Sequence, residues 1–208
     1  MLQMTRILIL DYGMGNIFSV QKKIKALGLN PIISNSEEDI LNADKIIFPG
    51  VGHFSNAMEN LKKLNVIQSL NEKVLGKKTP VLGICLGMQL MAQNSEEGNL
   101  NGLGWFDATV KKFNIQDKLN FKVPQMGWNT ISINKKSDLM IGIPDQSELY
   151  FIHSFYIECS VEKDILTKTV YESEFVSAIQ KDNIFGVQYH PEKSHEIGEK
   201  MLKNFIEI

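Results

Sequence analysis

The sequence is short of several things, and each shortage excludes something. Only two cysteines, Cys85 and Cys159, occur in 208 residues. That is too few for a disulfide framework, so the cytoplasm is the expected compartment. Net charge is almost absent: 22 Lys and Arg against 24 Asp and Glu leave −2. A nucleic-acid-binding surface is therefore not favoured. No apolar stretch approaches the roughly 18 residues that cross a bilayer, so no membrane role is expected. The four histidines, His53, His153, His190 and His195, fall at no ligand spacing such as H-x-x-x-H. Neither a metal nor a cofactor is expected. There is no internal repeat, low-complexity tract or linker, and the length suits a single domain over 1–208. Met1 to Leu10 carries one Arg and no small-residue cleavage site. It reads as a first strand rather than a signal peptide, with Met4 as an alternative start.

What is present is an alternation of short apolar runs and helical periodicity. Arg6–Leu10, Pro31–Ile33 and Lys45–Phe48 read as strands of the kind buried on both faces. Between them, Ser19–Leu27 and a short segment N-capped at Ser36 read as helices. Helices from Ser55 and over Val66–Leu75 follow. This predicts right-handed βαβ units and an α/β fold with a largely parallel central sheet flanked by helices. The second half reads differently. Strands are expected at Trp105–Phe113, Trp128–Ile133, Leu149–Glu158, Thr167–Glu172, Phe175–Gln180 and Ile184–Tyr189, as antiparallel additions to that sheet. A last helix opens at Ser194 or His195. In such folds sites lie beyond the carboxyl ends of the parallel strands. Loops 11–16, 49–54 and 85–89 meet that condition.

The most informative stretch is Thr79-Pro80-Val81-Leu82-Gly83-Ile84-Cys85-Leu86-Gly87-Met88-Gln89-Leu90-Met91. It reads as strand, sharp turn and helix, with Leu86, Leu90 and Met91 at helical spacing. Cys85 stands at the turn between Gly83 and Gly87, the form of a nucleophile elbow with sulfur in place of oxygen. A helix starting there would favour thiolate through its unpaired N–H groups and dipole. A buried structural cysteine is the bland alternative. A cysteine nucleophile needs a base and a group to orient it. His190 and Glu192, in Tyr189-His190-Pro191-Glu192, are two apart and would point to one side of an extended segment. An oxyanion would be held by the N–H of Leu86 and by the Gly50-Val51-Gly52 loop. The local pattern leaves hydrolase, peptidase and amidotransferase open.

Gly83-Ile84-Cys85-Leu86-Gly87-Met88-Gln89 together with His190-Pro191-Glu192 resembles the class I (triad) glutamine amidotransferases. Pro49-Gly50-Val51-Gly52, Asp11-Tyr12-Gly13-Met14-Gly15-Asn16, Met126-Gly127-Trp128-Asn129 and His190-Pro191-Glu192-Lys193-Ser194 are similar to the glutaminase subunits of imidazole glycerol phosphate synthase. The resemblance runs from Ile7 to Phe205. It implies the amidotransferase-like (flavodoxin-like) fold. It also implies a Cys85, His190 and Glu192 triad that hydrolyses L-glutamine through a glutamyl thioester. Gln89, Glu97 and the His153-Ser154 segment would bind the substrate. Ammonia would pass to a (β/α)8-barrel synthase subunit in a heterodimer. Asn16, Met126, Trp128 and Lys193 match positions that face that partner.

Two segments depart from the family pattern near the expected partner face. Gln125 stands where the family usually has histidine, and His195-Glu196 follows Ser194 where a small residue or Gln is usual. Paralogous subunits that feed ammonia to a sugar amidotransferase in surface-glycan synthesis are therefore a second expectation. A stand-alone cysteine hydrolase and an inactive scaffold are further ones.

Overall fold

The structure, a computed structural model, describes residues 5–208. The alternative start at Met4 lies outside the described residues. The first half alternates as expected: β1 (Ile7–Leu10), α1 (Ile17–Ala26), β2 (Ile32–Ser34), α2 (Glu37–Asn42), β3 (Lys45–Gly50), α3 (Phe54–Lys63), α4 (Ile67–Asn71), β4 (Val81–Cys85) and α5 (Leu86–Gln89). Then come β5 (Ala92–Ser95), β6 (Leu100–Asn101), β7 (Phe106–Lys112), β8 (Gln125–Thr130), β9 (Ser132–Ile133), β10 (Glu148–His153), β11 (Phe155–Cys159), β12 (Ile165–Tyr171), β13 (Ser173–Lys181), β14 (Ile184–Val187) and α6 (His195–Glu207).

Among the described residues, ten strands lie in the order β2-β1-β3-β4-β14-β13-β11-β7-β5-β6, and β12 on β13, with β9 on β12, completes a mixed, twelve-stranded sheet. Its β2-β1-β3-β4-β14 portion is parallel throughout. The residues of β1 alternate between two apolar layers. Leu8 and Leu10 pack with Met58, Leu61 and Leu70 of α3 and α4. Ile7 and Ile9 pack with Val20 and Ile24 of α1 and Met201, Leu202 and Phe205 of α6. Covering both faces is why these strands read as unbroken apolar runs. The helix starts follow local chemistry too. The Ser36 hydroxyl accepts from the Asp39 N–H at 3.1 Å, opening α2 over Glu37, Glu38 and Asp39.

Four expectations need correction. The helix expected over Val66–Leu75 changes pitch at Glu72, whose carbonyl takes the Lys77 N–H five residues on at 2.8 Å. The strand expected over Leu149–Glu158 breaks at Ser154. β10 pairs with β8 in a separate two-stranded sheet, while β11 joins the main one. The elbow helix is a single turn ending at Gln89. Beyond it, the carbonyls of Leu90, Met91 and Ala92 accept from Leu103, Trp105, Phe106 and Gly104. Leu90 closes the turn as its C-cap, with its N–H on the Leu86 carbonyl at 2.9 Å, and the pairing then pulls the chain into strand, so that Leu90 and Met91 are core residues at and beyond the helix end. β5 and β6, finally, were not expected at all.

Two registers position the site. Gly50 lies opposite Cys85 at the ends of β3 and β4. Val187 lies opposite Ile84, so the chain that leaves β14 arrives beside the cysteine.

Candidate active site

Cys85 has φ +54° and ψ −110°, a conformation that costs a non-glycine residue about 1–3 kcal/mol and is held only by its surroundings. The holding is backbone against backbone. A Cβ on Gly87 would lie 1.8 Å from the Phe48 carbonyl oxygen, and one on Gly83 would lie 2.7 Å from the Met88 nitrogen. Only glycine fits at either position. The side chain that this turn presents is 6% exposed.

His190 and Glu192 meet, with His190 Nδ1 2.8 Å from Glu192 Oε1. The reason differs from the extended spacing expected. Pro191–Lys193 forms a 3-10 turn, which swings the carboxylate back under the ring. The turn is tied to β10. The His190 N–H donates to the Tyr150 carbonyl at 2.9 Å. The Ser194 hydroxyl donates to the His190 carbonyl at 2.7 Å and accepts from the Tyr150 N–H at 3.0 Å. Nε2 is buried and lacks a partner of full hydrogen-bond geometry, yet the Cys85 sulfur is near enough to act on it. Burial disfavours the charged ring. The nearby Cys85 sulfur and the bonded Glu192 carboxylate outweigh that and raise His190 to about 10.

His153 is the opposite case. Burial lowers it to about 3. Its ring packs among Phe113, Phe151 and Phe175, and its Nδ1 contacts the Phe155 carbonyl at 2.7 Å. It is a neutral core residue, not a charged ligand group.

A pocket of about 320 Å³ opens on the sulfur, a size suited to a small metabolite. Its walls bring together Val51, Gly52, Cys85, Leu86, Gln89, Glu97, His153, Ser154 and Lys193, residues that lie far apart in sequence. Gly50, His190 and Glu192 sit behind those walls, and Asn16, Met126 and Trp128 outside them. Two of the expected ligand groups already have partners. Glu97 Oε2 accepts from the Phe54 N–H at 2.8 Å, at the start of α3. Gln89 Nε2 donates to the Phe155 carbonyl and to Gln188 Oε1, each at 2.9 Å. Within the Gln89 amide only the side-chain carbonyl oxygen is left to meet a ligand. Gln188 itself, fully buried with Nε2 3.5 Å from Cys85 Sγ, is a site residue that the sequence reading missed. Tyr12 is another. Its hydroxyl is buried, and a Cβ on Gly50 would come within 2.4 Å of it. Burial, then the proximity of Cys85, pushes the phenol well above its ordinary pKa.

Among the described residues, no group of three or more His, Cys, Asp or Glu is placed to hold a metal ion. No helix among them is long and apolar enough to cross a membrane.

Residues 8–208 match the family model described as glutamine amidotransferase class-I. The chain belongs to that family. Membership makes it a glutamine-hydrolysing enzyme. The imidazole glycerol phosphate synthase subunit HisH 2 of Methanococcus maripaludis is 50% identical over 200 residues, covering 96% of this chain and 98% of that one. HisH 1 of Campylobacter jejuni is 45% identical, covering 97% and 100%. HisH 2 of Pseudomonas aeruginosa is 44% identical, covering 97% and 99%. The structure of PurLQS from Thermotoga maritima superposes with a TM-score of 0.75 at 14% identity, covering 98% of both chains. At that identity it speaks for the fold alone.

Of the two departures from the family pattern, only the His195 segment lies on the outer face. His195 stacks on Trp128, ring centres 4.8 Å apart and 7° from parallel. The Lys193 ammonium stands 5.5 Å over the Tyr150 ring. Gln125, expected near the outer face, is turned inward and is 3% exposed. It pairs with His153 across the small sheet. Asn16 occupies the N-cap position of α1 without a side-chain capping bond.

Proposed function

We propose that the chain, as one domain over 1–208, is the glutaminase subunit of an imidazole glycerol phosphate synthase. It works in the cytoplasm as a heterodimer with a (β/α)8-barrel synthase subunit, supplying ammonia for imidazole glycerol phosphate formation in histidine biosynthesis. The observation that carries this reading is Cys85 at a strained elbow with the paired His190 and Glu192 behind it, opening on a pocket of metabolite size. It occurs in a chain half identical to a subunit of that name.

In this reading Cys85 attacks the side-chain amide carbon of L-glutamine. The resulting oxyanion is held by the Leu86 N–H and by an N–H of the Gly50-Val51-Gly52 loop. Protonated His190 gives its proton to the departing nitrogen, which leaves as ammonia. A glutamyl thioester remains. His190, now neutral, takes a proton from water as the water attacks, and glutamate is released. Glu192 fixes the ring's tautomer and stabilises its charged form. The Gln89 carbonyl oxygen, Glu97 and the His153-Ser154 segment hold the amino-acid end. Asn16, Met126, Trp128 and Lys193 face the synthase.

The His195–Trp128 stack favours a second reading. Its geometry belongs to this chain's own departure from the family, and three of the relatives above carry copy numbers. In that reading the ammonia goes to a sugar amidotransferase. Glutamate release, measured alone and with each purified partner, separates the two. With the barrel synthase and its ligand, the rate is expected to rise by orders of magnitude. A rise with the sugar amidotransferase alone would replace the first reading by the second. Full activity without any partner would favour a free-standing hydrolase.

A further inference from the structure

Gln188 lies two residues before His190, just past the end of β14, and is fully buried. The orientation of its carboxamide follows from its partners. A backbone carbonyl only accepts. The Phe155 carbonyl stands 2.9 Å from the amide of Gln89, so the facing atom is the Gln89 nitrogen. That nitrogen is also 2.9 Å from Gln188, whose facing atom must accept and is therefore Oε1. The remaining end of Gln188, its NH2, then faces the Cys85 sulfur at 3.5 Å. The Phe155 carbonyl is further engaged by His153 Nδ1 at 2.7 Å, so both its lone pairs are occupied.

The sulfur needs such a donor. α5 is a single turn of four residues, so its dipole contributes less than the longer expected helix would. A neutral thiol is served poorly: the Ile152 carbonyl, an acceptor for its proton, is 3.9 Å away. An N–H aimed at sulfur favours the anion, and a hydrogen bond to an ionised partner is stronger than a neutral one. We propose that Gln188 is a catalytic residue whose Nε2–H stabilises the Cys85 thiolate, with Gln89 and the Phe155 carbonyl fixing which end of its carboxamide meets the sulfur. The proposal rests on Cys85 as the nucleophile but on neither the substrate nor the partner assigned above. The titratable groups around the sulfur are His190, with Glu192 behind it, the Tyr12 phenol, and Glu97 and Lys193 in the walls of the same pocket. His153 lies beyond His190 and stays neutral.

The test reads the sulfur directly. Iodoacetamide alkylation of Cys85 in the full-length protein is followed against pH by peptide mass, which separates Cys85 from Cys159. Gln188→Met keeps the size of the side chain and removes the donor. It is expected to raise the midpoint of alkylation by about one pH unit, a roughly tenfold slower rate below the midpoint, with the same plateau at high pH. Gln188→Glu places an anion there and is expected to slow the reaction by about a hundredfold. Gln89→Met frees the carboxamide to turn and is expected to fall between wild type and Gln188→Met. A purely structural role would lower the plateau and leave the midpoint alone. An unmoved midpoint in Gln188→Met overturns the proposal. Should that variant not fold, an unmoved midpoint in Gln89→Met does the same. Because alkylation needs neither glutamine nor a partner, failure here is distinct from failure of the proposed function.

Discussion

Cys85, Gln188, His190 and Glu192 are each at most 6% exposed, whereas Val51, Met126 and Trp128 on the outer side of the same region are 38%, 62% and 45% exposed. The inner group is held by hydrogen bonds that reach across the chain, Gln89 to Phe155, Gln89 to Gln188 and Gln188 to Cys85, and by the local bond of His190 to Glu192. The outer group is apolar and open, and Trp128 there stacks on His195 and meets Tyr150 edge-on. Breaking any of these bonds would leave a further buried polar group without a partner, so the inner group has little freedom. Exposed aromatic and methionine side chains are what protein interfaces bury at their centres. The difference separates two jobs. The fold alone sets the geometry of the sulfur and its base. In the function proposed above, the outer face is completed by the synthase subunit.

The sharpest way to break this division is Cys85→Ala. Glutamine-dependent synthesis by the complex is expected to fall at least about a thousandfold, with synthesis from free ammonia retained. Survival of the glutamine-dependent rate would remove the sulfur from the inner group's purpose. Next in size is Glu192→Gln, expected to cost about 10²–10⁴ in kcat. It should also move the alkaline limb of the pH–rate profile to lower pH, because the carboxylate no longer supports the charged ring. A fall in rate without movement of that limb would make Glu192 a packing residue. On the outer face, Trp128→Ala is expected to weaken synthase binding by about 2 kcal/mol, roughly thirtyfold in Kd by titration calorimetry. The alkylation midpoint of Cys85 should stay where it is. If that midpoint moved with Trp128, the two groups would not be separable.

The smallest effect concerns pH and stability, where the two buried histidines pull in opposite directions. His153, lowered to about 3, stays neutral in the folded state while the unfolded chain takes up a proton below its ordinary pKa. Its contribution is therefore present above about pH 6.5 and is lost as pH falls toward 3. Urea unfolding at pH 5 should show about 2 kcal/mol less stability than at pH 7, and His153→Phe should shrink that difference. His190, raised to about 10, keeps its proton when folded. Its contribution is complete below about pH 6.5 and fades as pH rises through 10. An acid loss that persists undiminished in His153→Phe would place the sensitive group elsewhere.

The parallel half of the fold was legible because burial on both faces writes β1, β3 and β4 as continuous apolar runs. β5, with the sequence Ala92-Gln93-Asn94-Ser95, lies near the sheet's edge with Gln93 and Asn94 exposed, and so carries no apolar signal. The break at Ser154 was hidden for another reason. Both flanking strands alternate well, and no glycine or proline marks the change of sheet. The elbow was readable from its two glycines, whose need is steric and local. The length of its helix was not, since it is set by bonds to residues 103–106. Glu192 was placed beside His190 correctly but for a different cause, a turn in place of an extended spacing. Gln188 stayed hidden because its partners lie 99 and 103 positions away. The one available hint was its position two residues before His190.

The stack of His195 on Trp128 has a practical consequence. The chain has two tryptophans, and they see different worlds. Trp105 is 2% exposed, with its indole N–H on Asn71 at 2.8 Å. Trp128 lies half open against an imidazole. With Trp105→Phe, the remaining indole becomes a built-in optical gauge of the outer face. Its emission is set by whatever displaces His195 or covers the ring, so the arrival of a second protein can be timed on the unlabelled chain.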